Sequence, residues 1–368
     1  MPRSFRRSTD LICSFSLRRS RYLIHLPAPL PYSILVAPGA RHEGYFTRLP
    51  WPTPVFMASP NTKSVMLWIV MSRLGRSGFA GEVVMLNPAT LVAAAVGQHL
   101  ADGYRRAFGE QQPRYALILD EGARLLLERI ASSDALYHDM NHTVMVTLVG
   151  QDILRGLRLT RMVSPEDWLH YLLAALTHDV GYIRGICPGD TADSFVIDVD
   201  GNRVTPPRGA SDAFLTSSHV ERAKIMVRDR FGPVPEIDEE RIARAIEVTR
   251  FPIPVDDAYA ETDTEGGLLR AADLIGQLAD PLYPRKLNAL FHEFAETGTN
   301  ERLGYESPAD LVDHYPRFFW STVEPYIGDA LRYLERTIEG KQWISCLYSH
   351  VFSVEHGRRV IGPQLGRG

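Results

Sequence analysis

The segment 164–182, SPEDWLHYLLAALTHDVGY, constrains the fold more than any other part of the chain. Ser164 and Pro165 are typical of an N-cap and a first helical position, and the two acids that follow favour a helix N-terminus. The next turns are apolar on most sides, which predicts a helix at the centre of a core. This apolar run contains the pair His178-Asp179, whose burial costs several kcal/mol unless a partner relieves it.

Helical patterns lie on both sides of this segment. The predicted helices are 87–108, 120–133, 136–157, a helix that starts at the capping-box spacing of Ser218, and then 239–250, 264–279, 284–297, 308–315 and 321–339. The stretch 195–207, FVIDVDGNRVTPP, predicts a small β-hairpin that turns at Asp200-Gly201. The sequence therefore predicts an all-α domain over residues 86–345 with a β-hairpin insertion, followed by a C-terminal tail over 346–368.

Residues 1–85 differ from the rest in composition. The first 42 residues contain seven Arg, no Lys and a single acid, Asp10, and prolines recur from Pro27 to Pro60. Such a stretch favours a disordered N-terminal extension, or sequence translated upstream of a later start. Organelle targeting is an alternative, because Arg-rich and acid-poor segments are typical of transit peptides.

The net charge, the apolar runs and the cysteines indicate which partners and which compartment to expect. The net charge is −4, so no basic field favours a nucleic-acid partner. The longest apolar run, residues 65–71, is far shorter than the roughly 20 residues that a membrane helix needs, and no membrane partner is expected. Cys13, Cys187 and Cys346 form no CxxC pair, which favours a reducing compartment and a cytoplasmic location.

Four side chains on three predicted helices suggest a metal site. His142 lies on the predicted helix 136–157, and Asp273 is an acid among apolar residues in LLRAADLIGQLADPLY, residues 268–283. Together with His178 and Asp179 they offer imidazole and carboxylate ligands from separate elements, which suits Zn, Mn or Fe. The sequence predicts one or two divalent ions, of Mn, Fe, Zn or Mg, at these four residues.

The order of these residues resembles the HD-domain metal-dependent phosphohydrolases, over roughly residues 130–280. The segment YHDMNH, residues 137–142, is similar to the YHNxxH signature of the cyclic-nucleotide phosphodiesterases. The resemblance implies a helical bundle that hydrolyses a phosphoester, of a nucleotide or related small molecule, with a metal-activated water. It implies that His138 is the general acid for the leaving oxygen, that His142 is a metal ligand and that His219 is an additional ligand.

The chain also departs from the phosphodiesterase pattern. Tyr182 stands where those enzymes commonly have a His, Asp139 replaces their Asn, and their purine-binding Gln has no counterpart. Three alternative hypotheses therefore remain: an HD-type diiron oxygenase, a non-catalytic metal-containing binding module, and a purely structural helical domain.

Several of these side chains also have structural interpretations. His138 and His219 could be ordinary helix-start residues. Four basic residues could bind a phosphate but are expected to cover exposed helix faces, and one of them, Arg270, could pair with Asp273. These basic residues are Arg222, Lys224, Arg250 and Arg270.

Overall fold

The computed structural model describes residues 87–357, which fold into helices and one two-stranded hairpin. The helices are α1 (Pro88–Phe108), α2 (Pro113–Ile130), α3 (Met140–Arg158), α4 (Pro165–Thr177), α5 (His219–Phe231), α6 (Glu239–Glu247), α7 (Glu265–Leu278), α8 (Tyr283–Glu296), α9 (Thr299–Leu303), α10 (Pro308–Phe318), α11 (Glu324–Leu334) and α12 (Ile338–His356). Strands β1 (Phe195–Val196) and β2 (Arg203–Val204) pair antiparallel. The predicted all-α class with a β-hairpin is confirmed. The predicted N-terminal extension, residues 1–85, lies outside the described residues.

Helix α4 forms the centre of the core, as predicted. Ser164 and Asp167 form a reciprocal capping box, in which each side chain accepts a hydrogen bond from the other residue's backbone N–H. Such a cap stabilises a helix by about 1 kcal/mol. Every residue from Trp168 to Thr177 is buried, which leaves His178 and Asp179 at the end of a helix enclosed on all sides.

Helices α3 and α7 pack almost backbone against backbone beside α4. A Cβ atom placed on Gly276 would lie 2.8 Å from both the N and the Cα atoms of Val146. Real Cβ atoms do not approach backbone so closely, so the contact requires glycine at this position. The close packing brings Asp273, one turn before Gly276, to the first turn of α3.

The 3₁₀ turn Val180–Tyr182 follows Asp179 and packs on the start of α5. A Cβ atom on Gly181 would overlap the carbonyl oxygen of His219, so glycine again permits the contact. Ser218 is the N-cap residue of α5, but its hydroxyl donates to the Leu215 carbonyl and no side-chain cap forms. The predicted capping box at Ser218 is therefore wrong.

Several predicted boundaries are also wrong. Helix α3 starts at Met140, not 136, because the Asp139 side chain accepts from the backbone N–H of His142 and caps the helix there. Helix α2 starts at Pro113, seven residues earlier than expected. The predicted helix 321–339 is two helices, since Thr337 caps a new one, α12.

The predicted C-terminal boundary of the domain is wrong as well. Helix α12 continues to His356, past the predicted end of the domain at residue 345. Its Leu347 and Val351 are fully buried in the core, so residues 346–356 belong to the domain and not to a tail. Residues 358–368 lie outside the described range. No helix within residues 87–357 has the length and apolar character to cross a bilayer.

Candidate metal centre

Three helices bring His142, His178 and Asp273 together in a cluster that could hold a metal ion. One ligand atom of each residue lies within 4.8 Å of the others. His142 is on the first turn of α3, His178 follows the last residue of α4, and Asp273 is in the middle of α7. Both histidines are buried, whereas the Asp273 side chain is 22% exposed and marks the side that solvent reaches.

Asp179 joins this cluster. Its Oδ2 lies 3.2 Å from the Nε2 of His142 and 3.2 Å from the Nε2 of His178. The Nε2 of His142 is also 3.2 Å from the Oδ1 of Asp273. The four predicted ligands thus lie side by side, with their nitrogen and oxygen atoms facing one another.

The bonding of these atoms fits a cation. The Nδ1 of His178 lies 2.9 Å from the Ala175 carbonyl, so Nδ1 carries the hydrogen and Nε2 presents a lone pair to the cluster. The Nε2 of His178 and the Oδ2 of Asp179 are buried but form no hydrogen bond, even though they lie close together. Buried polar atoms without a partner cost free energy, and a divalent cation between them would remove that cost.

The electrostatics of the cluster agree with this interpretation. Burial lowers the pKa of His142, but the neighbouring carboxylates of Asp179 and Asp273 outweigh it and raise that pKa to about 10. Burial raises the pKa of Asp179, but the neighbouring imidazoles hold it well below its usual range. The carboxylates therefore place strong negative potential on the imidazole nitrogens, as a cation site requires.

His219, the predicted additional ligand, lies at the edge of the cluster. Its Nε2 is 3.7 Å from the Oδ1 of Asp179, the oxygen that does not face His142 and His178. Its Nδ1 lies 2.6 Å from the Thr216 carbonyl, so Nε2 again presents the lone pair. Asp179 thus offers one oxygen to each of two neighbouring positions.

His138, the predicted general acid, is anchored by a residue that sequence reasoning missed. Its Nδ1 lies 2.6 Å from the Oε2 of Glu293 on α8. Glu293 is 2% exposed, and its Oε1 accepts the backbone N–H groups of Tyr137 and His138 at 2.6 and 3.2 Å. Burial lowers the pKa of His138, but Glu293 more than offsets this and the pKa is raised. The ring is held in one orientation, beside the ring of His142 with their centroids 5.5 Å apart.

A signal for Glu293 was present in the sequence. Leu287, Leu290 and Glu293 follow at three-residue spacing, and all three are buried on one face of α8. An acid on an apolar stripe is the same feature that pointed to Asp273. The partner His138, 155 residues earlier, could not be read from that spacing.

Tyr182 occupies the space between the two outer histidines. Its ring stacks on His138 with centroids 4.7 Å apart and on His219 with centroids 4.6 Å apart, both nearly parallel. The side chain is 2% exposed. The residue that departs from the phosphodiesterase pattern therefore acts as a spacer that fixes both imidazole planes.

The basic residues divide into two pairs. Lys224 and Arg250 form ion pairs with Glu221 and Glu247 beside α5 and α6. Arg222 and Arg270, expected on exposed faces, are instead fully buried, at 0% and 2% exposure. Arg270 forms no ion pair with Asp273: its Nη1 donates to the Tyr259 carbonyl instead.

Comparison with known proteins assigns the chain to a family. No curated protein matches the sequence. One family model, described as Npun_R2479-like, matches residues 86–357. The match contains every residue of the cluster, together with His138 and Glu293, and spans nearly three quarters of the chain. The chain therefore belongs to the Npun_R2479-like family.

Proposed function

We propose that this protein is a metal-dependent phosphohydrolase of the HD-domain type, which hydrolyses a phosphoester of a nucleotide or related small molecule. The observation that carries this proposal is the pairing of His138 with the buried Glu293, beside a cluster of imidazole and carboxylate side chains. A proton donor next to a cation site is the combination that cleavage of a phosphoester needs.

The cation would be held by His142, His178, Asp179 and Asp273, and a second one by His219 with the other oxygen of Asp179. The donor set of imidazoles and carboxylates suits Mn, Fe or Zn, and Mg less well. A bound divalent cation supplies Lewis acidity, which offsets phosphate charge and makes water more acidic.

His138 supplies the proton in this proposal. The Nδ1–H of His138 donates a hydrogen bond to the Glu293 carboxylate, which raises the pKa of the ring and so favours its protonated form, with a second proton on Nε2. Nε2 can then donate this proton to the oxygen of the departing alcohol. Glu293 is a positioning residue, because it acts through His138 and is itself buried.

Tyr182 keeps the two sides of the site apart. Because its ring is stacked between His138 and His219, neither imidazole can rotate toward the other. His138 thereby stays apart from the proposed cation ligands and is free to act as the proton donor.

The test is phosphoesterase activity of the full chain purified without chelator and supplied with Mn²⁺, Fe²⁺ or Zn²⁺. Bis(p-nitrophenyl) phosphate and a panel of nucleoside monophosphates and cyclic nucleotides serve as probes. His138→Asn should lower kcat by roughly 10²- to 10⁴-fold without changing the metal content. His314→Gln, at an exposed histidine, is the matched control. Metal-loaded protein with no turnover on any probe would contradict the proposal and favour a metal-containing binding module.

A diiron oxygenase is the second candidate, because one observation favours it. Asp179 faces His142 and His178 with one oxygen and His219 with the other, an arrangement that suits two adjacent ions bridged by a carboxylate. Elemental analysis separates the two candidates. Two irons per chain with near-ultraviolet absorption, and no phosphoesterase activity, would favour the oxygenase.

A further inference from the structure

The two fully buried arginines differ in how their charges are satisfied. Arg222 pairs with Asp190 through both terminal nitrogens, at 3.0 and 3.2 Å. It also donates to the carbonyls of Gly181, Ile183 and Val196. Every side of its guanidinium has a partner, as is normal for a buried cation.

Arg270 has no such set of partners. Its Nη1 donates to the Tyr259 carbonyl at 2.7 Å, and the ring of Tyr326 covers one face, 4.3 Å from Cζ. Its Nε and Nη2 are buried and have no hydrogen-bond partner within the described part of the chain. No acid there offsets the cost of burial, which lowers the pKa of this guanidinium. A buried cation in this condition costs several kcal/mol.

The two unpaired nitrogens form one edge of the guanidinium. In arginine the N–H of Nε and one N–H of Nη2 point in the same direction, and this fork matches the two oxygens of a carboxylate or phosphate. The carbonyl of Tyr259 holds the opposite side of the group, and the ring of Tyr326 holds its face. The fork is therefore oriented before any ligand binds, which reduces the entropy cost of binding.

We propose that the Nε and Nη2 edge of Arg270 is an oxyanion-binding site. Its ligand would be a small molecule with a carboxylate, phosphate or sulfate group. The site lies between α7, α11 and the 3₁₀ turn Asp257–Tyr259. Most residues from 255 to 261 are exposed, and Tyr259 in this segment contacts Arg270 directly. Arg270 is one helical turn before Asp273 but contacts no member of the metal cluster, so the site does not depend on the proposed hydrolase function.

The experiment is thermal unfolding of the full chain with sodium phosphate, sulfate or acetate at constant ionic strength. A ligand that binds the folded state raises Tm, and the concentration dependence gives an apparent Kd. The variants are Arg270→Gln, which removes the charge, and Arg270→Lys, which keeps the charge but lacks the fork. Arg332→Gln is the matched control, because Arg332 also lies beside a tyrosine ring but is exposed and pairs with Asp329.

We expect an oxyanion-dependent rise in Tm for the wild type and for Arg332→Gln. Arg270→Lys should weaken the apparent affinity about tenfold or more, and Arg270→Gln should abolish the effect. The anion that gives the largest shift identifies the ligand class. His142→Ala serves to separate the two sites: the shift should persist in this variant, since the metal cluster is not the binding site.

Three results would overturn the proposal. The wild type could show no oxyanion-dependent shift, Arg270→Lys could retain the full shift, or the shift could disappear in His142→Ala and remain in Arg270→Gln. The last result would place the anion at the metal cluster. If Arg270→Gln does not fold, the comparison of the wild type with Arg270→Lys still decides.

Discussion

The Nδ1 of His138 lies 2.6 Å from the buried carboxylate of Glu293, a residue 155 positions later in the chain. This contact joins the segment before α3 to α8. It fixes the orientation of the His138 ring and raises the pKa of that ring.

Replacing Glu293 with Gln should therefore reduce activity more than it affects metal binding. The amide can still accept the two backbone N–H groups, but it cannot balance a protonated His138. We expect kcat to fall by at least about tenfold with unchanged metal content, and the free energy of unfolding to fall by about 1–3 kcal/mol. Kinetics and urea denaturation measure these effects. Glu301→Gln, at an exposed acid, is the control, and equal kcat values for the two variants would show that Glu293 does not position His138.

Asp179→Ala should remove the bound metal. Asp179 contacts both buried imidazoles of the cluster, and its loss removes one of the two carboxylates beside them. We expect elemental analysis to find near-stoichiometric metal in the wild type and almost none in the variant. Asp200→Asn, in the exposed hairpin turn, should leave the metal content unchanged. Metal retained at the wild-type level in Asp179→Ala would show that the ion is bound elsewhere.

Removal of the metal should destabilise the folded chain. A cation that binds only the folded state contributes stability that grows with the ratio of its concentration to Kd, about 2.7 kcal/mol at a hundredfold excess. Chelator treatment should thus lower Tm, and added Mn²⁺, Fe²⁺ or Zn²⁺ should restore it. The Asp179→Ala variant should respond to neither treatment.

Two substitutions at Tyr182 separate the role of its stacked ring from the role of its hydroxyl group. Tyr182→Phe keeps a ring between His138 and His219, so we expect metal content and kcat within a few-fold of the wild type. Tyr182→Leu loses the stack and leaves a void, which should cost about 2 kcal/mol of stability and lower kcat about tenfold or more. Melting curves and kinetics of both variants measure this difference. A Phe variant as impaired as the Leu variant would assign the role to the hydroxyl group instead.

Gly276→Ala should separate α7 from α3. The new Cβ would lie 2.8 Å from backbone atoms of Val146, and moving a helix backbone costs more free energy than moving a side chain. We expect a loss of about 1–3 kcal/mol in stability and weaker metal binding, because Asp273 would shift with the helix. Gly328→Ala is the matched control: its Cβ meets no atom within 4 Å, and the change should stabilise α11 by up to about 1 kcal/mol. Urea denaturation compares the two variants.

Glu247 should make stability depend on acidic pH. Burial raises its pKa, but hydrogen bonds from Arg250, Lys224 and Tyr259 outweigh this and lower the pKa to about 2. A carboxyl group whose pKa is lower in the folded than in the unfolded state stabilises the fold above its unfolded pKa, about 4.3. That contribution is lost as pH falls from there toward 2. Glu247→Gln should thus be less stable than the wild type at pH 7, and the difference should shrink below about pH 4. A difference that stays constant with pH would assign the effect to packing rather than charge.

The sequence predicted the features that depend on local spacing. The capping residues of α4, the apolar turns after them and the hairpin at Asp200-Gly201 follow from short-range rules, and the structure confirms them. The four proposed ligands His142, His178, Asp179 and Asp273 could be found because polar residues on apolar helix faces are conspicuous in a sequence.

Features that depend on long-range contacts could not be predicted. Glu293 and His138 are 155 residues apart, and no periodicity of the sequence indicates a contact over such a separation. Arg222 and Arg270 have the surface pattern of ordinary helix residues, and only the packing of β1 and of α11 over them makes them buried. The apolar pattern alone predicts that α3 starts at residue 136. The helix starts at Met140 instead, because Asp139 caps it there.

The proposed cation ligands and the residue that anchors the proposed proton donor lie on different helices. The ligands belong to α3, α4 and α7 with the residues that follow them, whereas Glu293 belongs to α8. Evolution can therefore alter one property while it preserves the other. A substitution at Glu293 is therefore expected to lower the proposed activity while the proposed cation ligands stay in place.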